Sequence, residues 1–172
     1  MNLPTLEIPD PSLVLLIGSS GAGKSTFAAC HFLPTEIISS DRCRAMICDD
    51  ESEQSINSET FGRVHHIARL RLQQRRLTVI DATNLQFRAR RPFLRMARAC
   101  RLPVIAIVFK LSLETCAAHN QTRSERQVGQ DVLELHQQQL AAAFARLSQE
   151  GYAKIYVIEK ADLADLVVRK LR

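Results

Sequence analysis

Residues 12–26 read SLVLLIGSSGAGKST and join a continuous apolar run to a glycine-rich turn. Such a run is typical of a central parallel strand that is buried on both faces. Residues 18–26 contain the pattern GxxxxGK[ST], and a short helix is predicted to begin at Lys24. Glycines let the backbone turn tightly and aim N–H groups at an anion, and the helix adds its positive end. The segment therefore predicts a site for the phosphates of a nucleoside triphosphate.

Strands and helices alternate along the rest of the sequence. Further apolar runs of strand length recur, separated by segments with helical character. The predicted strands are residues 12–17, 36–39, 77–80, 103–109 and 155–158. The predicted helices are residues 24–32, 41–47, 59–75, 87–100, 113–122, 132–147 (closed by Gly151) and 162–171. This alternation predicts an α/β fold, a parallel five-stranded sheet with helices on both faces.

The composition is that of a globular protein. The 172 residues are 46% apolar and 24% charged without any shift in composition, so we expect one domain over residues 1–172. No apolar run approaches the ~20 residues that span a bilayer, and the first dozen residues, with three prolines and no basic residue, do not resemble a signal peptide. Five cysteines without a CxxC pair predict neither a zinc site nor a disulfide framework and favour the reducing cytoplasm.

The basic residues are mostly arginine. Of 23 basic residues only five are lysine, and the formal net charge is +5. The planar arginine fork can grip a phosphate with two hydrogen bonds, so the excess indicates phosphorylated partners, although codon bias would produce it too. A basic helix follows residue 86 and either contacts the backbone of a nucleic acid or forms a solvated face. Its arginines are Arg88, Arg90, Arg91, Arg95, Arg98 and Arg101.

Polar residues follow the predicted strand 77–80. Asp81 comes directly after it and is either an acid that reaches a bound metal through water or a cap of the next turn. Thr83 and Asn84 lie at the same edge of the sheet, where ligands bind in open α/β folds. Both are therefore candidates for binding the acceptor of a phosphoryl group.

Asp41 follows the predicted strand 36–39 and reaches the same edge. A carboxylate there can accept the proton of an acceptor hydroxyl while the γ-phosphoryl group moves, or it can cap the helix that it begins. Arg44 lies one helical turn later and either holds a substrate phosphate or is a surface arginine. Asp41 is the candidate base of a small kinase.

Residues 122–128, TRSERQV, are the candidate lid of such a kinase. Arg123 and Arg126 are three apart and project to one side of a helical turn. Two guanidiniums there can neutralise charge that develops on the transferring phosphoryl group. The alternative is a solvated basic turn, but the position after the fourth strand favours an arginine-bearing lid.

Five motifs occur in order: IGSSGAGKSTF, ISSDRCR, DDESEQS, TVIDATN and TRSERQV. This set resembles the kinase module of bacterial polynucleotide kinase-phosphatases over nearly the whole chain. Members of that type join a 5′-OH kinase, a metallophosphatase and a ligase-like adenylyltransferase in one polypeptide for RNA repair. The last two modules have no counterpart here, so we expect either an isolated kinase module or a piece of a larger enzyme. The resemblance implies a P-loop kinase fold.

The resemblance also implies roles for individual residues. Lys24 and Ser25 match phosphate and metal contacts, Asp41 matches the general base, and Arg44 and Gln54 match residues near the acceptor. His119 stands where a further lid arginine is expected, so either protonated His119 replaces it or Arg126 alone holds the γ-phosphate. The nucleotide-binding residues are then Ser20, Gly21, Ala22, Gly23, Lys24, Ser25, Thr26, Arg123, Arg126 and Gln127. The catalytic residues are Lys24, Asp41 and Arg126.

The sequence thus favours an ATP-dependent polynucleotide 5′-hydroxyl kinase that uses Mg²⁺ or Mn²⁺, with Ser25 as the metal ligand. Its expected partners are a nucleoside triphosphate, a single-stranded RNA or DNA 5′-OH end, and phosphatase and ligase modules of the same polypeptide, with no membrane partner. Aromatic residues make up only 5% of the chain, so we expect an acceptor gripped mainly through its terminal phosphates. The alternatives are a kinase of small-molecule hydroxyls on the same scaffold and a catalytically idle nucleotide-binding adaptor.

Overall fold

The computed structural model describes residues 5–123, 127–159 and 166–171. The strands among them are β1 Thr5–Pro9, β2 Leu13–Gly18, β3 Ile37–Ser39, β4 Thr78–Asp81, β5 Val104–Phe109, β6 Lys154–Ile158 and β7 Val167–Leu171. The helices are α1 Lys24–His31, α2 Ser40–Cys48, α3 Asn57–Gln73, α4 Phe87–Ala99, α5 Leu113–Gln121 and α6 Gln130–Phe144, and a 3₁₀ turn occupies Leu147–Gln149. The five predicted strands are all present.

Five strands form one parallel sheet in the order β3-β4-β2-β5-β6. Strand β2, which precedes the glycine-rich turn, lies at the centre, and every residue of β2 and β5 is buried because both faces of the sheet are covered. Alternate residues of β2 enter two apolar clusters, one against α3, α4 and α6 and the other against α1, α5 and β1. The α/β prediction is confirmed.

The carboxyl ends of β2, β3 and β4 meet at one edge of this sheet. Ser39, the last residue of β3, is in register with Asp81, the last residue of β4. Helix α2 follows β3 directly, with Ser39 as its N-cap: the Ser39 hydroxyl accepts a 3.3 Å hydrogen bond from the N–H of Arg42. The capping alternative for Asp41 is therefore wrong, and its carboxylate lies in the first turn of α2.

The predicted C-terminal helix 162–171 is wrong where the structure describes it. Val167–Leu171 is strand β7, which pairs in parallel with Thr5–Pro9 in a second, two-stranded sheet. The Tyr156 hydroxyl of β6 accepts from the N–H of Glu7 (2.8 Å) and donates to its carbonyl oxygen (2.9 Å), which ties β1 to β6. Residues 162–165 lie outside the described part of the chain. Strand β7 depends on a partner at the opposite end of the sequence.

Helix α6 also ends earlier than predicted. It stops at Phe144, and the 3₁₀ turn Leu147–Gln149 comes between its end and Gly151. Gly151 has a φ of 90°, so it reverses the chain after that turn and before β6. Within the part of the chain that the structure describes, we find no helix with the length and apolar character needed to cross a membrane.

Candidate active site

The turn between β2 and α1 has the shape that its glycines permit. Gly21 and Gly23 adopt φ of 76° and 81°, which are strained for residues with a side chain. A Cβ on Gly21 would lie 2.2 Å from the carbonyl oxygen of Cys116 in α5, so this loop has no room for one. Ala22 turns its methyl group into the core, which leaves only its backbone at the turn. Helix α1 begins at Lys24 and directs its N-terminal N–H groups to the turn, as an anion cradle requires.

Lys24 lies buried beneath the turn. Its Nζ donates hydrogen bonds to the carbonyl oxygens of Gly18 (3.0 Å) and Ser19 (2.7 Å). Burial lowers the pKa of Lys24 to about 8, and the nearby Asp81 carboxylate opposes that shift only in part. Bound phosphates would stabilise the charged ammonium and would therefore raise the pKa of Lys24 again.

Asp81 at the end of β4 belongs to the phosphate site. Asp81 lines the same pocket as Lys24 and Ser25. Burial raises the pKa of Asp81, while the nearby Lys24 and Ser25 act in the opposite direction. Of the two interpretations that the sequence left open, this placement favours the metal-associated acid over a turn cap.

Ser25 and Asp81 are suitable oxygen ligands for a magnesium ion. A hydroxyl and a carboxylate are hard donors, and they stand together at the start of α1. Among the described residues, no group of three or more His, Cys, Asp or Glu side chains could hold a metal. A Mg²⁺ ion here would therefore take its remaining ligands from nucleotide phosphates and water, as is usual for this ion.

Asp41 lines the same pocket as Lys24. The pocket has a volume of about 220 Å³ and opens at the carboxyl edge of the sheet. The candidate base therefore shares a pocket with Lys24 and Ser25 of the predicted phosphate cradle. Eight predicted site residues line it: Ser20, Lys24, Ser25, Asp41, Arg44, Gln54, Thr83 and Arg123.

Arg44 is buried, with 3% of its surface exposed, so the surface-arginine alternative is wrong. Its Nη1 donates to Oδ1 of Asp41 (2.8 Å) and to the carbonyl oxygen of Glu51 (2.9 Å). Its Nη2 donates to Oδ1 of Asn57 (2.8 Å), and Nδ2 of Asn57 donates to Oε1 of Gln54 (3.1 Å). The four side chains form one hydrogen-bonded network that lines the pocket. The guanidinium is thereby fixed before any substrate binds.

Thr83 and Asn84 are placed differently from each other. Thr83 lines the pocket, and its carbonyl oxygen accepts from the N–H of Gly18 (3.0 Å). Asn84 is buried with a φ of 49°, and its Nδ2 donates to the carbonyl oxygen of Leu16 in β2 (2.8 Å). The prediction that Asn84 binds the acceptor is therefore corrected. Its side-chain amide instead holds the loop after β4 against the central strand.

Arg90 is a structural residue and no part of a nucleic-acid surface. Only 1% of it is exposed, and it forms a bidentate ion pair with Glu150. Its Nη1 donates to the carbonyl oxygens of Asn84 (2.8 Å) and Leu85 (2.7 Å). The ion pair thus fixes the loop that carries Thr83. No local pattern distinguishes Arg90 from its neighbours, since its partner lies 60 residues away.

The other arginines of α4 are exposed and face different parts of the molecule. Arg88 lies near the pocket, beside a groove described below. Arg98 and Arg101 line a separate cavity with Val104 and Tyr152, at the amino ends of β5 and β6. That cavity is at the edge of the sheet opposite the phosphate cradle, so these two arginines do not reach an acceptor bound at Asp41.

A second pocket, of about 390 Å³, shares Lys24, Ser25 and Arg123 with the first and is the candidate site for the nucleotide. Gly21, Gly23, Ser25 and Thr26 form one wall. His119, Thr122 and Arg123 at the end of α5 form the other. Nδ1 of His119 lies 2.9 Å from the carbonyl oxygen of Gly21, which can only accept, so this nitrogen carries a proton. His119 thereby joins α5 to the phosphate loop.

Two residues of the candidate lid remain, Gln127 and Arg126. Gln127 does not line either pocket, and its Nε2 donates to the carbonyl oxygens of Gln121 (3.1 Å) and Arg123 (2.9 Å) at the end of α5. Its predicted role in nucleotide binding stays a prediction, since these hydrogen bonds show only that it closes the end of α5. Arg126, predicted as a catalytic residue, lies outside the described residues.

Sequence reasoning missed five residues that line the pocket: Ser40, Asn57, Phe61, Ala82 and His136. His136 of α6 accepts a 3.4 Å hydrogen bond at Nδ1 from the N–H of Ser20. This contact joins the phosphate loop to a helix 116 residues later in the chain. The pattern around His136 is that of an ordinary amphipathic helix, so the sequence carried no local signal for it.

The chain belongs to the AAA domain family, whose model matches residues 13–148. A search of the curated proteins finds no sequence match.

Solved structures with the same fold include a chain of the Pnkp1/Rnl/Hen1 RNA repair complex, with a TM-score of 0.67 and 23% identity. The match covers 85% of this chain and 47% of that one, so this chain spans about half of that protein's length. A putative kinase from Chloroflexus aurantiacus has a TM-score of 0.60 and 14% identity, covering 87% of this chain and 88% of that one. A gluconokinase from Sinorhizobium meliloti has a TM-score of 0.56 and 17% identity, covering 91% and 87%. At these identities the likeness shows a P-loop kinase fold.

Proposed function

We propose that this protein is an ATP-dependent polynucleotide 5′-hydroxyl kinase that acts on single-stranded RNA or DNA ends in nucleic-acid repair. The observation that carries the proposal is the placement of Asp41 in one pocket with Lys24 and Ser25, held there by buried Arg44. A base and a phosphate cradle that face each other form the minimal apparatus of phosphoryl transfer.

The proposed reaction is an in-line transfer between the two pockets. Asp41 accepts the proton of the 5′-hydroxyl while the hydroxyl oxygen forms a bond to the γ-phosphorus. The bond from the γ-phosphorus to the β–γ bridging oxygen breaks, and ADP leaves. Lys24 and Arg123 line the pocket where negative charge develops and offset it, and Arg126 is proposed to share this role. Mg²⁺, when bound, neutralises charge on the β- and γ-phosphates.

Arg44 supports a phosphorylated acceptor over a simple alcohol. Its guanidinium is fixed by Asp41, Glu51 and Asn57 and lines the acceptor side of the pocket. Arginine suits bidentate phosphate recognition, and a buried cation is most useful for an anionic substrate. A 3′-phosphate next to the 5′-hydroxyl distinguishes a nucleic-acid end from a sugar, so Arg44 is proposed to bind that phosphate.

The proposal extends to the setting of the enzyme. The chain is proposed to be one kinase domain that works with phosphatase and ligase modules, in line with the resemblance of its motifs. The similar chain in the RNA repair complex, about twice as long as this one, supports that arrangement. All five cysteines are free, which supports the proposed cytoplasmic location.

Transfer of label from γ-labelled ATP to a 5′-OH oligonucleotide tests the function. We expect Mg²⁺-dependent labelling of the 5′ end by the wild-type chain and labelling slower by about 10²–10⁴-fold in the Asp41→Asn variant. Gluconate and simple sugars serve as competing acceptors. Label on these alcohols alone would favour a small-molecule kinase, and ATP binding without transfer to any acceptor would favour a nucleotide-binding adaptor.

A further inference from the structure

The acceptor pocket does not end at its wall but continues into a groove. The groove has a volume of about 560 Å³ and lies between α3, the start of α4 and α6. Four residues line both the pocket and the groove: Asn57, Phe61, Thr83 and His136. The two cavities are therefore adjoining compartments.

The size of the pocket indicates that a large acceptor must extend beyond it. At about 220 Å³, it is smaller than the ~300–1,000 Å³ of sites that enclose a drug-sized ligand. Asn57 accepts a hydrogen bond from Arg44 and also lines the groove, so the groove begins beside the guanidinium proposed to hold a 3′-phosphate. A chain that leaves that phosphate would be directed into the groove.

The lining of the groove suits a nucleobase. Phe61, Leu85 and Leu135 give it an apolar wall, and 49% of Leu135 is exposed on α6. Gln86 and Gln139 bring amide donors and acceptors. A flat ring with polar edges can pack on such a wall and bond to the amides, whereas a free sugar has no apolar face of that width.

Charge at the groove matches a nucleic acid as well. The exposed guanidinium of Arg88 lines the groove, and its Nε is held by Oε1 of Gln86 (2.5 Å). Burial lowers the pKa of His65, whose ring packs edge-on against Phe93. Arg88 stands beside the apolar wall of Phe61, Leu85 and Leu135, which is an arrangement that can bind one base and one phosphate.

We propose that this groove binds the second nucleotide of the acceptor strand, with its base on the Phe61–Leu135 wall and its phosphate toward Arg88. The proposal rests on the function proposed above and makes it more specific, because it assigns the second nucleotide of the acceptor to this groove. Contact with one base on an apolar wall predicts a dependence on chain length without strong base preference.

The test compares KM for two 5′-OH acceptors, a nucleoside 3′-monophosphate and a dinucleotide with a 3′-phosphate. We expect the dinucleotide to have a KM lower by about tenfold, equivalent to about 1.4 kcal/mol. In Leu135→Glu the ratio of the two KM values should fall to about twofold or less, because a carboxylate replaces the apolar wall and repels the phosphate. Leu70→Glu is the matched control, since Leu70 is 47% exposed on α3 outside both cavities, and it should keep the wild-type ratio.

The possible results separate this inference from the proposed function. Equal KM values for the two acceptors, or an unchanged ratio in Leu135→Glu, would overturn the groove while leaving the kinase in place. If neither acceptor is phosphorylated, both the proposed function and this inference are overturned. Both KM values are measured on the same variant and do not depend on the enzyme concentration, so partial loss of folded protein does not change their ratio.

Discussion

Arg44 and Asp41 lie one helical turn apart on α2 and are joined by a 2.8 Å hydrogen bond between Nη1 and Oδ1. Arg44 is almost completely enclosed, while 26% of the Asp41 side chain remains exposed. The pair therefore holds the carboxylate at the wall of the pocket while the cation supports it from within. Together they link the proposed base to the proposed acceptor-binding site.

Replacing the proposed base should separate transfer from nucleotide binding. Asp41→Asn keeps an oxygen that can accept from Arg44 but removes the ability to take up a proton. We expect the rate of phosphoryl transfer to fall by about 10²–10⁴-fold, with ATP affinity within a factor of about two. Rapid-quench assays and calorimetric ATP titration measure the two quantities. Asp49→Asn at the other end of α2 is the control and should behave as wild type, whereas a large loss of ATP affinity in Asp41→Asn would assign Asp41 to the nucleotide.

Asn57 should act on the acceptor through Arg44. Asn57→Ala removes the 2.8 Å bond to Nη2 of Arg44 and the contact with Gln54, so the guanidinium loses one of its supports. We expect KM for a 3′-phosphorylated acceptor to rise by about tenfold, as for loss of a hydrogen bond to a charged group. KM for ATP should stay unchanged, because Asn57 does not line the nucleotide pocket. Ser58→Ala is the control; equal increases in both KM values would contradict this assignment.

Nucleotide affinity should fall as the pH rises through the pKa of Lys24. Burial lowers that pKa to about 8, whereas bound phosphates favour the charged form and raise it. ATP binding above pH 8 should therefore take up a proton, and affinity should drop by up to about tenfold per pH unit between the two pKa values. Calorimetry at pH 7 and pH 9, in buffers with different ionisation enthalpies, measures both. Lys24→Met should bind weakly at each pH with no proton uptake; an ATP affinity that is the same at pH 7 and pH 9 in the wild type would refute the idea.

The lowered pKa of Lys24 also makes stability depend on pH, but stability should rise with pH where nucleotide affinity falls. The folded pKa of Lys24 lies below the unfolded value of 10.5, so the unfolded chain binds more protons between about pH 8 and pH 10.5. The contribution of Lys24 to stability therefore rises with pH across that window, while nucleotide binding weakens. Urea unfolding with and without ATP at each pH distinguishes the two effects.

Breaking the buried ion pair of Arg90 should be costly. Arg90→Met leaves the Glu150 carboxylate buried without its cation, which costs about 3–5 kcal/mol of stability. The double variant Arg90→Met with Glu150→Met should recover most of that loss. Arg91→Met, at the exposed neighbouring position, is the control and should lie within about 0.5 kcal/mol of wild type by urea unfolding. A loss that is the same in the single and double variants would point to packing instead of charge.

The strands of the main sheet were predictable because their signals are local. A buried parallel strand reads as an apolar run, and the glycines of residues 18–23 mark the turn by their conformational needs. Strand β7 was not predictable in the same way. Val167 pairs with Thr5, and no pattern within residues 162–171 reveals a partner at the other end of the chain. Pairing between distant segments overrode the local helical appearance.

The amino-acid sequence alone predicted the phosphate cradle, the strands of the main sheet and the candidate base, since the turn and each strand carry a local signal. Tertiary structure decided which polar side chains reach the pocket. It buried Arg44 against Asn57, turned Asn84 inward, paired Arg90 with Glu150 and brought His136 to the phosphate loop. The partner of each side chain is set by the packing of segments far apart in the chain, and the hydrophobic periodicity of a single helix or strand does not indicate those contacts.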